Sequence, residues 1–454
     1  MPTDIRIKPA KRPYLAAAAR FATGDDSPRD FLERGLKELE FWEPQIGAFV
    51  NLNIPGARAA ADQATERWRA GKPLSAIDGI PMGIKDVIET VDMPTELGSP
   101  LFENWRSWKD AASVVALRAA GAVILGKTVT TEFAMSFPRG TRNPWNVAHT
   151  PGGSSSGSAA AVAAGIISAG LGTQVIGSTL RPASFCGVFG YKPSVHALNR
   201  TGSHDYQSQS CTGIIAASLE DTWQVAYEIA VRAGGDPGWP GLMGPDRAPA
   251  AKKPRRLAFL ETAGWAIAGE PAKQCMENAI ARIRAAGVEV LTRTTHAMVD
   301  AIEPDIAGAF ELSTRINDFE MRSLIRSCAD RDIDKLSPVV RERLAKTAAL
   351  TIADYRSDLT ARDEIRAAYA ELAADCDACV TLGATGPAPE GLGSTGITQM
   401  NVPASLLGIP ALTLPVFTVD ELPLGLQVMG FADRDADAFG ITGWVLGLFQ
   451  KSDS

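Results

Sequence analysis

Residues 150–194 read TPGGSSSGSAAAVAAGIISAGLGTQVIGSTLRPASFCGVFGYKPS. Two Gly/Ser clusters flank a run of small residues, Ser158 to Ala169, that is expected to be a helix whose Ala and Gly content lets other backbone approach closely. Such a segment can set two serines against each other in a buried place. The second cluster, GTQVIGS, puts consecutive backbone N–H groups just ahead of Ser178. Fixed donors aimed at developing negative charge are what an oxyanion hole requires.

Outward from this segment, short apolar stretches punctuated by Gly alternate with helical ones. GIPMGIKDVIE begins at Gly79 and AVILGKT at Ala122, and VFGYKPS ends at Ser194; the helical stretches include Ala111 to Ala120. This alternation predicts an α/β fold with a central sheet covered by helices on both faces. Upstream, 30–41 and 57–70 carry apolar residues at helical spacing among charges, with FVNLNI between them as a strand. The stretch 233–256 is dense in Gly, Pro and basic residues and is expected to be irregular surface. After it RRLAFLE, the helix 271–286 and VEVLTR suggest the start of a second lobe. LPLGLQVMGF near the C-terminus nevertheless reads as a strand returning to the same sheet. One large domain over 1–454 is therefore expected, with its core at about 75–230 and a variable helical insertion at about 300–370.

Composition narrows the function classes. Of 454 residues 45% are hydrophobic, enough for a large core, and 45 basic against 52 acidic residues leave a net charge of −7. No basic stripe offers itself to a phosphate backbone, so nucleic acid is not an expected partner. The apolar run 158–171 is too short to span a membrane and is broken by Gly165 and Gly170. The first residues lack the flanks of a secretory signal, so a cytoplasmic protein is expected. Six cysteines are scattered without framework spacing, which fits reduced thiols. Cys376 and Cys379 form CDAC, but no second pair or nearby His completes a zinc site, and neither a metal nor an organic cofactor is expected. No GK[ST] follows the glycines, which excludes a P-loop. GSSSG fits G-x-S-x-G around Ser155, yet NPWNVAHTP precedes it where an α/β-hydrolase elbow needs a buried strand.

The 150–194 segment resembles the amidase-signature family, whose motif runs GGSS(G/S)GS, then GT-x-x-x-GS, then RPA-x-x-CG-x-x-G-x-KP. The resemblance extends to GIPMGIKD around Lys85, to 110–134, to NPWN at 143–146, and to LGIPALTLP and LPLGLQVMG. It implies that the central sheet is mixed and twisted, with Ser178 as nucleophile, Ser154 as relay after a cis peptide from Gly153, and Lys85 as base. It further implies an oxyanion hole from the backbone of Val175, Ile176, Gly177 and Ser178. The chemistry is coherent: a serine hydroxyl needs a neighbour to take its proton, and a lysine can do so only when neutral, a state that burial favours. The proton can then return through Ser154 to the leaving nitrogen.

The chain departs from the commonest family form, GTDTGGS-x-R. Gln174 replaces an Asp, Ile176 a Gly, and Arg181 lies three residues past Ser178 instead of two. Gln174 and Arg181 together resemble the malonamidase-type branch, which implies that they contact substrate, the arginine through a carboxylate; a structural ion pair is the alternative for Arg181. A β-branched residue tolerates positive φ badly, so at Ile176 either the backbone is ordinary or the loop is reshaped. The expected function is a serine amidohydrolase acting through an acyl-enzyme on a small-molecule amide, with carbamates, esters or hydrazides open to the same chemistry. The competing readings are the glutamine-hydrolysing partner in an amidotransferase complex and a non-catalytic binding protein on this fold. The sequence allows a homodimer.

Overall fold

The computed structural model describes residues 8–450. The sequence reading of the N-terminus as carrying no signal falls partly on residues 1–7, outside the described residues. Through the Gly/Ala-rich segment the expected helix is present but shorter: it runs Ser156–Ala163, and Ala169–Gln174 is already a strand. The stop is at Gly165, whose φ of +71° suits a residue without a side chain and turns the chain out of the helix. Small residues here serve close packing. A Cβ on Gly157 would lie 2.2 Å from the Ala48 carbonyl oxygen, and one on Gly172 would lie 2.7 Å from Ser155 Oγ.

Among the described residues eleven strands form one mixed sheet. They are β1 (Phe49–Leu52), β2 (Pro81–Lys85), β3 (Val123–Thr128), β4 (Ala169–Gln174), β5 (Phe189–Lys192) and β6 (Cys211–Ala216), then β7 (Arg256–Phe259), β8 (Glu289–Leu291), β9 (Ala378–Leu382), β10 (Ala411–Val419) and β11 (Leu422–Met429). Their order across the sheet is β1-β3-β2-β4-β6-β5-β10-β11-β9-β7-β8. β7 and β8, whose sequence suggests the start of a second lobe, pair into this same sheet through β9. The result is a single-domain α/β fold.

Side chains alternate across the strands and divide the core into two layers. Ile124 of β3, Ile214 of β6, Leu257 of β7 and Val380 of β9 join one continuous cluster on one face. On the other face Val123, Leu125 and Ile215 pack with the alanines of the 156–163 helix, while Ala258 and Cys379 join a separate cluster. The short helix Leu180–Cys186 bridges these two, with Leu180 in one and Ala183 and Cys186 in the other. Helices Ala297–Ala307, Ala309–Asp332, Pro338–Thr347 and Ile352–Glu371 fill the stretch read as a helical insertion. The irregular surface expected at 233–256 lies between the helix Leu219–Ala233 and β7. No helix among the described residues is long and apolar enough to cross a membrane.

Candidate active site

The parallel pairing of β2 with β4 sets Ile84 beside Leu171, which brings the ends of the two strands together. Lys85 closes β2 and Thr173 lies near the end of β4, so the lysine meets the threonine there. Lys85 is fully buried and donates to Ser154 Oγ and to Thr173 Oγ1, both at 2.6 Å. Burial pulls its pKa down from the ordinary lysine value to about 8, partly offset by the charge of Asp205. Ser154 follows a cis peptide bond from Gly153 and is itself buried.

Ser178 faces a cavity of about 470 Å³ together with Val175, Ile176, Gly177 and Arg181. Its carbonyl accepts from Ser155 N at 3.2 Å, which ties the Ser178 turn to the turn carrying Ser154. The structure thus brings the 154–155 turn, Lys85 and the 175–178 loop to one place. Among the described residues no acceptor takes the N–H of Ile176, Gly177 or Ser178. Ile176 has no positive φ, so the backbone is ordinary at this position and a side chain fits without strain. That side chain packs beside Val402 and Leu406 while lining the cavity.

Gln174 departs from its expected role. It is fully buried and does not face the cavity. Its Oε1 accepts from Thr179 N and Leu180 N, both at 3.0 Å, and its Nε2 donates to Ser405 Oγ at 3.1 Å. Both ends of the amide are therefore committed to holding the loop and the start of the 180–186 helix, which corrects the reading of Gln174 as a substrate contact. Arg181 lines the cavity with Ser178, and its observed bonds are not an ion pair. One nitrogen, Nη2, donates to the Gly153 carbonyl at 2.6 Å and to Thr395 Oγ1 at 3.0 Å, clamping the peptide before Ser154. It makes no ion pair among the described residues, and its buried Nε and Nη1 have no partner there. Burial alone draws its pKa down to about 9, with no carboxylate to counter it.

Three polar groups of the site escape the sequence reading. Thr173 sits inside GTQVIGS, where the motif points to backbone N–H groups and gives no hint of a hydroxyl facing Lys85. Asp205 and Asn317 carry no local signal, because the loop and the helix Ala309–Asp332 that present them come to the cavity only through the tertiary fold.

A family model described as Amidase matches residues 30–438. The chain belongs to the amidase family. It is 33% identical over 459 residues to the A subunit of the glutamyl-tRNA(Gln) amidotransferase from Chloroflexus aggregans (strain MD-66 / DSM 9485), covering 91% of this chain and 92% of the relative. Among solved structures it is similar to an amidase with a TM-score of 0.82 at 27% identity, covering 96% of this chain and 99% of that one. It is also similar to the native peptide amidase from Stenotrophomonas maltophilia, with a TM-score of 0.77 at 27% identity and 96% of each chain covered.

Proposed function

We propose that the chain is a serine amidohydrolase that cleaves a small-molecule amide through an acyl-enzyme, with Ser178 as nucleophile, Ser154 as relay and Lys85 as base. The observation that carries this reading is the buried 2.6 Å contact between Lys85 Nζ and Ser154 Oγ beside the loop that ends at Ser178. Above a pH of about 8 the amine is neutral, and its lone pair accepts the Ser154 proton while Ser154 takes that of Ser178. The N–H groups of 176–178 receive the oxyanion, and the same proton path in reverse reaches the leaving nitrogen. Carbamates and esters fit the same sequence of steps. The unpaired Nε and Nη1 of Arg181 favour an acyl group bearing a carboxylate, which would take a single charge-assisted hydrogen bond from either nitrogen, since Nη2, shared by both fork pairs, is bound to Gly153 and Thr395.

The test is covalent labelling by a fluorophosphonate, expected on Ser178, together with Ser178→Ala, expected to abolish amine release from a panel of aryl amides, half-amides and carbamates. Label on Ser155, or a variant within about tenfold of wild type, overturns the assignment. The likeness to the amidotransferase relative supports a second reading, a glutamine-hydrolysing chain that works in a complex. Hydrolysis of glutamine in preference to all other amides, and only with partner chains added, would favour it over a stand-alone enzyme.

A further inference from the structure

The cavity holds a second side chain with an unpaired polar atom. Asp205 is buried, with a relative exposure of 2%, and lines the same space as Ser178. Its Oδ1 accepts from Ser203 Oγ at 2.7 Å, but no group among the described residues donates to Oδ2. Nearby, Gln207 gives its Nε2 to the sulfur of Met321 and leaves a buried Oε1 unpaired. Asn317, which also lines the cavity, has neither amide atom paired. A buried carboxylate oxygen without a donor costs free energy that a structural role does not recover, whereas a ligand cation would recover it on binding. Arg181 is the obvious internal counter-charge, yet it forms no pair with Asp205.

We propose that Asp205 Oδ2 and Gln207 Oε1 form a subsite for a protonated amino group, so that the substrate carries a primary ammonium besides its scissile bond. The inference rests on the amide-hydrolase reading for its chemistry and on the unpaired oxygens for its specificity. Asp205 and Ser178 line one cavity, so the ammonium sits in the same space as the reacting bond, in either half of the amide.

Two isosteric pairs test this: glycinamide against propionamide for the acyl half, and N-(2-aminoethyl)acetamide against N-propylacetamide for the leaving half. In at least one pair the wild type should prefer the aminated member in kcat/KM by about 10- to 100-fold, the range of one hydrogen bond to a charged group. Asp205→Asn keeps the acceptor for Ser203 but replaces the charged oxygen with a donor, and should erase that ratio. No preference in either pair, or a preference that survives Asp205→Asn, overturns the subsite. Calorimetric binding of the same compounds to Ser178→Ala and to Ser178→Ala/Asp205→Asn separates the two readings. Binding that favours the aminated members and depends on Asp205, with no turnover by wild type, would sink the hydrolase reading and leave the subsite standing; turnover without such selectivity would do the reverse.

Discussion

Replacing Thr173 by Val removes one of the two hydroxyl acceptors of Lys85 while keeping the shape of the side chain. In the neutral state the lysine donates one N–H to Thr173 and turns its lone pair to the Ser154 hydroxyl, whereas the ammonium donates to both, each across 2.6 Å. The ammonium form needs the threonine more than the amine does. A hydrogen bond to a charged group contributes about 1.5–3 kcal/mol against about 0.5–1.5 for a neutral pair, a difference of roughly 1 kcal/mol. At 1.36 kcal/mol per pH unit, the variant should lower the Lys85 pKa by about half to one unit. The group must lose its proton to act, so activity rises with pH through about 8 in the wild type, and the variant's limb should lie at lower pH. On the plateau the less constrained amine should cost roughly tenfold in kcat/KM, about 1.4 kcal/mol of orientation. The assay is amine release from an aryl amide between about pH 6 and 10. A limb and plateau both unmoved would refute a role for this contact, and a rising limb that persists in Lys85→Met would show that another group is the base.

Gln174→Leu should leave the N–H groups of Thr179 and Leu180 unpaired and cost about 2–4 kcal/mol in denaturant unfolding, whereas a loss under about 0.5 kcal/mol would contradict its structural role. Arg181→Lys keeps the charge but loses the Nε and Nη1 donors, so kcat/KM for half-amides should fall about 10- to 100-fold relative to neutral amides; equal losses for both classes would leave only the clamp on Gly153. Ile176→Gly should widen the range of accepted acyl groups, read as a rise in relative rate for branched over linear amides, and no change in that ratio would mean that the side chain only packs against Val402 and Leu406.

The sheet was legible because its signals are local. Ile84 and Ile124 sit in short apolar runs punctuated by Gly that read as sheet segments, whereas β6, with Ile214, was not read. Lys85, Ser154 and Ser178 were singled out for another reason: they lie in motif segments whose spacing matches a known family. Gln174 shows where that route fails. A motif position says that a residue type is wanted there, not whether its atoms face the ligand or the backbone, and here the N–H groups of Thr179 and Leu180 take its oxygen. Ile176 shows the converse, since a departure that looks costly is harmless once φ is ordinary. Asp205, Gln207 and Asn317 have no motif, and in isolation each reads as a solvated polar residue. Only the fold puts them in one cavity with acceptors and donors unspent. What the sequence reading misses is therefore the set of unpaired polar groups that the fold gathers in the cavity, because finding them requires knowing which buried polar groups the protein has left unpaired.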